Sequence, residues 1–228
     1  MAQFHFVEDY ERLVAHLIET YPLDEAMSRA VGGGFQEIGA IEAEVMRYAG
    51  LKDGMRLIDL GCGSGRLASV LGQSMKIEYT GIDIVQSLID YAKSKSPTNY
   101  RFFLHRALNM PSPDNVCDFV AAFSVFTHLL PAESFIYLED IRRTLKPGGK
   151  LVFSFLEFLA DSHWTIFEAT VEAQRHHSSA PLNTFIERSV IDIWSSRLGY
   201  IMEGYITGTE SRWNGRPLGQ SVAILRKP

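Results

Sequence analysis

The chain has 228 residues, of which 46% are hydrophobic and 21% charged, and its formal net charge is −5 at pH 7. This composition is typical of a soluble globular protein, and the acidic balance argues against a nucleic-acid partner, because nucleic-acid binders usually present a basic face. The two cysteines, Cys62 and Cys117, form no CxxC pair, which argues against a disulfide scaffold and a structural zinc site.

The first 50 residues are predicted to form a helical cap. In residues 35–51, Ile38, Ile41, Val45 and Tyr48 recur at helical spacing, which predicts one apolar helix face. The start of the chain lacks the basic front and apolar run of a signal peptide. No stretch approaches the 18 or so apolar residues that a membrane span needs. We therefore expect a cytoplasmic protein without a membrane partner.

From residue 51 to residue 157 the chain alternates between short apolar runs and helical stripes, which predicts a core of strands and helices. Strands are predicted at 55–60, 77–83, 100–106, 117–124 and 150–157, and "KPGG" is expected to end the helix before the last of them. Such alternation predicts a parallel sheet with helices on both faces. Ligands of these sheets bind at the carboxyl ends of the strands.

The last part of the chain is predicted to add a lid and an antiparallel pair of strands to this core. Residues 158–190 are less regular and carry His163, Trp164, His176 and His177, so we interpret them as a helical lid insertion. Residues 191–228 are predicted to contain a helix and two strands, which completes a single domain over 1–228. No metal site is expected, because adjacent histidines have the wrong spacing for one helix face.

The stretch "LIDLGCGSGRL" places three glycines at alternate positions directly after the first predicted strand. Gly61, Gly63 and Gly65 permit positive φ angles and a close approach of a ligand to the backbone. The helix that follows points its first N–H groups into the same space, which favours an anionic group. Asp59 can brace the loop or meet a cationic group. A tight turn without a ligand is the alternative, although one glycine would be enough for it.

A second acid, Asp83, ends the next predicted strand in "GID". Its carboxylate can accept two hydrogen bonds from a ribose diol, or it can cap the helix that follows. The glycine loop upstream favours the ribose interpretation. A dinucleotide-binding turn of the form GxGxxG also has an acid about 20 residues later, but Arg66 stands here where that motif has its last glycine.

The form D-x-G-x-G-x-G resembles the first motif of the class I S-adenosylmethionine-dependent methyltransferases. "HRALNMPSPDNVCDFVAAFSVFTHL" and "LKPGGKLVFS" are also similar to segments of small-molecule members of that family. The resemblance implies a Rossmann-like, doubly wound, mostly parallel seven-stranded sheet with helices on both faces and an antiparallel last strand. It implies S-adenosyl-L-methionine as the cofactor and a small molecule as the methyl acceptor.

The resemblance also implies a set of cofactor-binding residues. They are Asp59, Gly61, Cys62, Gly63, Arg66, Asp83, Ile84, Ala107, Leu108 and Ser124. Many relatives carry an acid near the adenine amino group where this chain has Arg106, so the backbone of Ala107 and Leu108 is expected to contact adenine.

Methyl transfer from a sulfonium needs mainly alignment of the two partners, and an oxygen acceptor also needs a base. His128, just after the fourth predicted strand, is the candidate catalytic residue, with packing beside the cofactor as the alternative. The acceptor site is expected near Tyr21, Phe35, Trp164 and Trp213. A nicotinamide-dependent oxidoreductase and a non-catalytic cofactor-binding module are the other two functions considered. The residues specify neither the acceptor nor the oligomeric state.

Overall fold

The computed structural model describes residues 7–176, 182–213 and 215–228. His177 of the predicted lid therefore lies outside the described residues. The first part of the chain consists of three helices: α1 (Val7–Thr20), α2 (Leu23–Ala30) and α3 (Phe35–Ala49). On α3 the buried face includes Ile41 and Val45, but Tyr48 is 57% exposed, so the predicted apolar face is wrong at that position.

Seven strands form one sheet. They are β1 (Arg56–Leu60), β2 (Glu78–Asp83), β3 (Arg101–Leu104), β4 (Cys117–Ala122), β5 (Leu145–Phe155), β6 (Ile201–Ile206) and β7 (Ser221–Arg226). Their spatial order is β3-β2-β1-β4-β5-β7-β6, and β7 runs antiparallel to both of its neighbours. This topology confirms the predicted Rossmann-like fold. The strand order reverses between β1 and β4, which is where such sheets bind ligands.

The remaining described helices are α4 (Arg66–Ser74), α5 (Gln86–Lys95), α6 (Pro131–Thr144), α7 (Asp161–Arg175) and α8 (Arg188–Leu198). The buried residues divide into separate cores, as expected for a sheet with helices on both faces. In β4, Phe119 and Ala121 belong to one core, and Val120 and Ala122 belong to another. Among the described residues, no helix has both the length and the apolar character needed to cross a membrane.

The segment "KPGG" differs from its prediction. The helix α6 already ends at Thr144, and β5 begins at Leu145. Cys117 pairs with Leu145 but Phe119 pairs with Lys150, so the intervening residues bulge out of the strand. Pro147 explains both facts, since a proline disfavours helix at the preceding residue and cannot donate a ladder hydrogen bond.

Candidate functional site

The glycine loop connects β1 to α4 at the reversal point of the sheet. Gly61, Gly63 and Gly65 have φ angles of +70°, +54° and +84°, which other residues rarely adopt. The N–H groups of Gly61 and Cys62 both donate to the carbonyl of Ile82, at 2.8 and 3.0 Å. The loop is therefore folded back over the carboxyl end of β2.

Side chains of the protein itself approach the glycines closely. A Cβ added at Gly63 would lie 2.6 Å from Cγ1 of Val31, and one at Gly65 would lie 2.7 Å from Cβ of Ala92. At Gly61 a Cβ would collide with Val125. The glycines are thus needed for packing within the chain as well as for any close approach of a ligand.

Asp83 combines the two roles that the sequence left open. The residue is only 6% exposed; Oδ2 accepts a hydrogen bond from the N–H of Gly63 at 2.8 Å, and Oδ1 accepts one from the N–H of Val85 at 3.0 Å. The carboxylate therefore braces the glycine loop and also caps the turn before α5. Each oxygen keeps a second lone pair. Burial raises the pKa of Asp83, and the backbone N–H donors offset this only in part.

Three buried carboxylates surround the loop, and Arg66 is the cation among them. Arg66 pairs with Glu42 through contacts of 2.6 and 2.8 Å, and Tyr79 donates a hydrogen bond of 2.5 Å to Asp59. Burial is the main cause that raises the pKa of Asp59 to about 8; the hydrogen bond from Tyr79 and the charge of Arg66 act to lower it, and the charges of Glu42 and Asp83 act to raise it. At pH 7, Asp59 is therefore mostly protonated in the unliganded protein, and it reaches its midpoint of ionisation at about pH 8.

Glu42 was not among the predicted site residues, although the sequence contains a signal for it. It lies four residues after Ile38, on the face of α3 that was predicted to be apolar, and it is 1% exposed. A charged residue on such a face needs a buried partner, and Arg66 is that partner.

This arrangement of charge favours a cationic ligand and opposes a pyrophosphate. The three acids Glu42, Asp59 and Asp83 are balanced by one guanidinium, that of Arg66. Attraction between a cationic ligand and an ionised acid is strong where water is excluded. The N–H groups of Ser64 and Arg66, at the start of α4, donate to no acceptor among the described residues. Because helix N-termini attract anions, the site suits a ligand that carries both a cation and a carboxylate.

The helix α1 packs against α2 within the N-terminal helical segment. The hydroxyl of Tyr10 donates to the carbonyl of Ala30 at 2.5 Å. Burial raises the pKa of Tyr10, the charge of Asp83 raises it further, and the charge of Arg66 acts to lower it. The helix α2 contacts the glycine loop, because the hydroxyl of Ser64 donates to the carbonyl of Met27 at 3.0 Å.

Arg106 fixes the segment that is predicted to contact adenine. Its Nε donates to the carbonyl of Ile84 at 3.0 Å, and its guanidinium pairs with Glu11 of α1. Ile84 and Leu108 are half-buried against the same core. Ala107, between Arg106 and Leu108, accepts a weak hydrogen bond of 3.5 Å from a tyrosine hydroxyl of α6.

The side chain of Cys62 is buried beneath the glycine loop, and its contact with the cofactor stays a prediction. It is 4% exposed and packs under the loop, where a Cβ added at Gly81 would lie 2.8 Å from its Sγ. Burial raises the pKa of the thiol well above its usual range. A small apolar side chain fills this space beneath the turn, and the N–H of Cys62 is already bound to Ile82.

His128 is oriented by its backbone surroundings. Its Nδ1 lies 2.6 Å from the carbonyl oxygen of Leu182, so this nitrogen donates and Nε2 carries the lone pair. Burial lowers the pKa of His128, although the hydrogen bond to Leu182 acts in the opposite direction. The imidazole is therefore neutral at pH 7.

A cavity of about 140 Å³ lies at the carboxyl ends of β4 and β5. Its wall includes Arg66, Glu42 and Gly32 beside the glycine loop, and Ser124 on the side of β4. His128 does not line it. No group of three histidine, cysteine, aspartate or glutamate side chains within the described ranges could hold a metal ion.

The aromatic residues predicted for an acceptor site do not line this cavity. Phe35 packs edge-on against Tyr91, and Trp213 is 7% exposed and packs against Tyr48. Tyr21 lies under the guanidinium of Arg29, and Trp164 belongs to an aromatic cluster on α7. Three apolar residues line the cavity instead: Ile38, Phe123 and Leu218. The role of the four predicted aromatic residues in acceptor binding therefore stays a prediction.

Two protein families match the chain. The family described as "Methyltransferase domain" matches residues 58–153, which contain the glycine loop, Asp83 and β4. The family described as "Protein-L-isoaspartate(D-aspartate) O-methyltransferase" matches residues 13–101, from α1 to the start of β3.

Curated relatives match part of the chain. A demethylmenaquinone methyltransferase of Staphylococcus aureus is 27% identical over 122 residues, which are 52% of this chain and 50% of that protein. A 2-methyl-6-phytyl-1,4-hydroquinone methyltransferase of Synechocystis is 26% identical over 166 residues, or 71% of this chain and 46% of that protein. The chain thus spans half or less of the length of these relatives.

Solved structures share the fold. Magnesium protoporphyrin IX methyltransferase from Synechocystis, solved with bound SAH, has a TM-score of 0.64 at 15% identity and covers 100% of this chain and 90% of its own. A methyltransferase structure from Methanosarcina mazei has a TM-score of 0.62 at 18% identity, with 80% and 96% of the two chains covered. At identities of 15% and 18%, the similarity of these two structures to the chain shows a shared fold.

Proposed function

Because the chain belongs to the class I S-adenosyl-L-methionine-dependent methyltransferases, we propose that it transfers a methyl group from S-adenosyl-L-methionine to a small-molecule acceptor. The observation that carries the proposal is the glycine loop enclosed by three buried carboxylates. Those acids suit the cofactor of this family, which carries a sulfonium cation. The relatives named for a menaquinone precursor and a hydroquinone support a small acceptor.

The residues around the loop fit this cofactor. Asp83 keeps lone pairs for a ribose diol, and Ile84 and Leu108 offer apolar surface for adenine. The free N–H groups at the start of α4 suit the carboxylate of the amino-acid part. Bound cofactor would supply an activated methyl carbon. The task of the chain is then to hold and align the two partners, which can account for several kcal/mol of the barrier.

The carboxylates predict a pH dependence that distinguishes the sulfonium from a neutral thioether. The pKa of Asp59 is raised from 3.8 to about 8, so at pH 6 this acid is protonated in the unliganded protein. A bound cation favours the ionised form, so binding releases a proton and affinity rises with pH until about pH 8. We expect the affinity for S-adenosylmethionine to increase several-fold from about pH 6 to pH 8 relative to that for S-adenosylhomocysteine.

Isothermal titration calorimetry with the two ligands over this pH range measures the effect. The amino and carboxylate groups are common to both ligands, so the affinity ratio isolates the sulfonium. Asp59→Asn should make the ratio independent of pH. Equal pH profiles for both ligands in the wild-type protein would exclude this role of Asp59. Without ligand, Asp59 should make folding less favourable as pH rises from about 4 to 8, because only the folded state retains the proton there.

His128 is expected to position rather than to catalyse, since it does not line the cavity and its Nδ1 is held by Leu182. In single-turnover experiments with saturating cofactor, His128→Ala should slow methyl transfer by less than about tenfold across the pH range. His176→Ala, on an exposed residue at the end of α7, is the matched control. A loss of about 10²–10⁴-fold, together with loss of an ionisation from the pH profile, would identify His128 as the base.

A methylation screen tests the proposed function. Cofactor with a labelled methyl group is incubated with the protein and a panel of phenols, quinols, amines and carboxylic acids. We expect label to enter at least one acceptor and expect the Asp83→Asn variant to lose that transfer. Cofactor binding without transfer to any panel member would favour the non-catalytic module.

A further inference from the structure

We propose that the side-chain amide of Gln220 recognises the methyl acceptor, and that the acceptor presents an uncharged, ring-sized group whose oxygen accepts a hydrogen bond. This inference rests on the proposed function. Gln220 immediately precedes β7 and lines the cavity at the carboxyl ends of β4 and β5. Neither the sequence patterns nor the matched family segments include it.

The oxygen end of the Gln220 amide is already in use. Ser154 donates to its Oε1 at 2.6 Å, and Ser124 donates at 3.2 Å. The Oγ of Ser154 also accepts a hydrogen bond from the N–H of Ser124 at 2.7 Å. The hydroxyl hydrogen of Ser154 is therefore directed to Gln220. The Nε2 end donates no hydrogen bond among the described residues, and the residue is only half-buried. An amide whose oxygen is held by two hydroxyls therefore keeps two N–H donors for a ligand.

The backbone at Ser124 is strained in a way that serves this arrangement. Its φ angle is +57°, and Asn115 is the other non-glycine residue with a positive φ among those described. Such conformations are unfavourable for a residue with a side chain and persist only where the surroundings impose them. Here the strained turn directs both the N–H and the hydroxyl of Ser124 toward Ser154 and Gln220.

Buried polar groups fix the residues on both sides of Gln220. The carbonyl of Gly219 accepts a hydrogen bond of 3.0 Å from Nε2 of His163, which is fully buried. The hydroxyl of Ser221 donates to Glu157 at 2.5 Å, and Glu157 is 1% exposed. This network holds the backbone of Gln220 rigidly. Recognition of a ligand by a single hydrogen bond requires such rigidity, and the proposed methyl transfer gives the network no other role.

The cavity itself indicates the kind of group it receives. Its volume of about 140 Å³ is close to the roughly 150 Å³ of a cavity that accommodates benzene. Phe123 and Leu218 provide apolar walls. The cation in the wall, Arg66, is paired with Glu42, so the described lining residues offer no unpaired charge to balance a charged ligand. A neutral ring with an oxygen substituent matches these features.

Two probes with different hydrogen-bonding capacity test the proposal. Cyclohexanone can only accept a hydrogen bond, whereas phenol can donate as well. With isotope-labelled protein saturated with S-adenosylhomocysteine, both should shift the Gln220 side-chain amide signal in NMR spectra, with dissociation constants of about millimolar order. The signal is assigned by its absence in Gln220→Glu.

Gln220→Glu keeps the oxygen that both serines contact but replaces the donor with a carboxylate oxygen. Because this variant lacks the Gln220 side-chain signal, binding is compared in both proteins through the backbone amide signals of Phe123 and Leu218, which also line the cavity. The variant should bind cyclohexanone at least about tenfold more weakly while phenol still binds. Affinity for S-adenosylhomocysteine should stay within about twofold of wild type. Gln73→Glu, on an exposed residue of α4, is the control and should change neither probe.

Three outcomes would overturn the proposal. Equal loss of both probes in Gln220→Glu would indicate a general disturbance of the cavity. Failure of both probes to shift the amide signal would exclude the cavity as their site. Binding of the probes to the ligand-free protein but not to the protein saturated with S-adenosylhomocysteine would assign the cavity to the cofactor. Failure of S-adenosylhomocysteine itself to bind would contradict the proposed function instead, so the two failures are distinguishable.

Discussion

Asp83→Asn is expected to weaken binding of S-adenosylhomocysteine by about tenfold to a hundredfold and to lower the melting temperature as well. Hydrogen bonds to a charged group contribute roughly 1.5–3 kcal/mol each. The structure adds a second cost, because Asp83 accepts N–H groups from both Gly63 and Val85. An asparagine can accept only one of them with its oxygen, and its NH₂ group then faces the other donor.

The stability cost of this variant is about 1–3 kcal/mol for one buried donor without a partner, or a decrease in Tm of roughly 2–10 °C for a chain of this size. Calorimetry measures both effects. Asp90→Asn, on the exposed side of α5, is the matched control, since its carboxylate contacts the surface side chains of Gln86 and Lys93. Wild-type affinity in a folded Asp83→Asn protein would mean that Asp83 only braces the loop.

Gly63→Val is expected to abolish detectable cofactor binding. The backbone at Gly63 has a φ of +54°, and the new Cβ would lie 2.6 Å from Val31, which itself contacts the site through its carbonyl bond to Arg66. The loop must therefore move, and with it the N–H that Asp83 holds. Strain at such a position costs about 1–3 kcal/mol before the collision is counted.

Gly54→Val separates backbone strain from crowding at the loop. Gly54 has a φ of +82° with open space in the Cβ direction, and it lies in the turn before β1. Both variants should lose stability, but only Gly63→Val should lose S-adenosylhomocysteine binding. If the two variants bind the ligand equally well, the glycine loop does not form the cofactor site.

Local patterns in the sequence predicted the features that lie close together along the chain. The strand-loop-helix unit around Gly61 and the acid at the end of β2 follow from short periodicities and glycine chemistry, which act within a few residues. The bulge at Pro147 was misread because a turn and a bulge share the same glycine and proline signature.

Features that depend on distant segments were not predicted. Tyr10 of α1 donates to Ala30 of α2, 20 positions away, and Ser124 donates to Gln220 across 96 positions of the sequence. No local pattern encodes such contacts. Glu42 could be predicted in part. Its position on an apolar helix face indicates that the side chain is buried, but it does not indicate that Arg66 is the partner.

Parallel calorimetric titrations of the protein with S-adenosylmethionine and with NAD at about pH 8 test the central claim most directly. Glu42, Asp59 and Asp83 are expected to set a field at the glycine loop that attracts a sulfonium and repels a pyrophosphate. We therefore expect S-adenosylmethionine to bind with a dissociation constant of micromolar order or below, about −8 kcal/mol or better, and NAD to give no measurable heat. Saturable binding of NAD without binding of S-adenosylmethionine would contradict it.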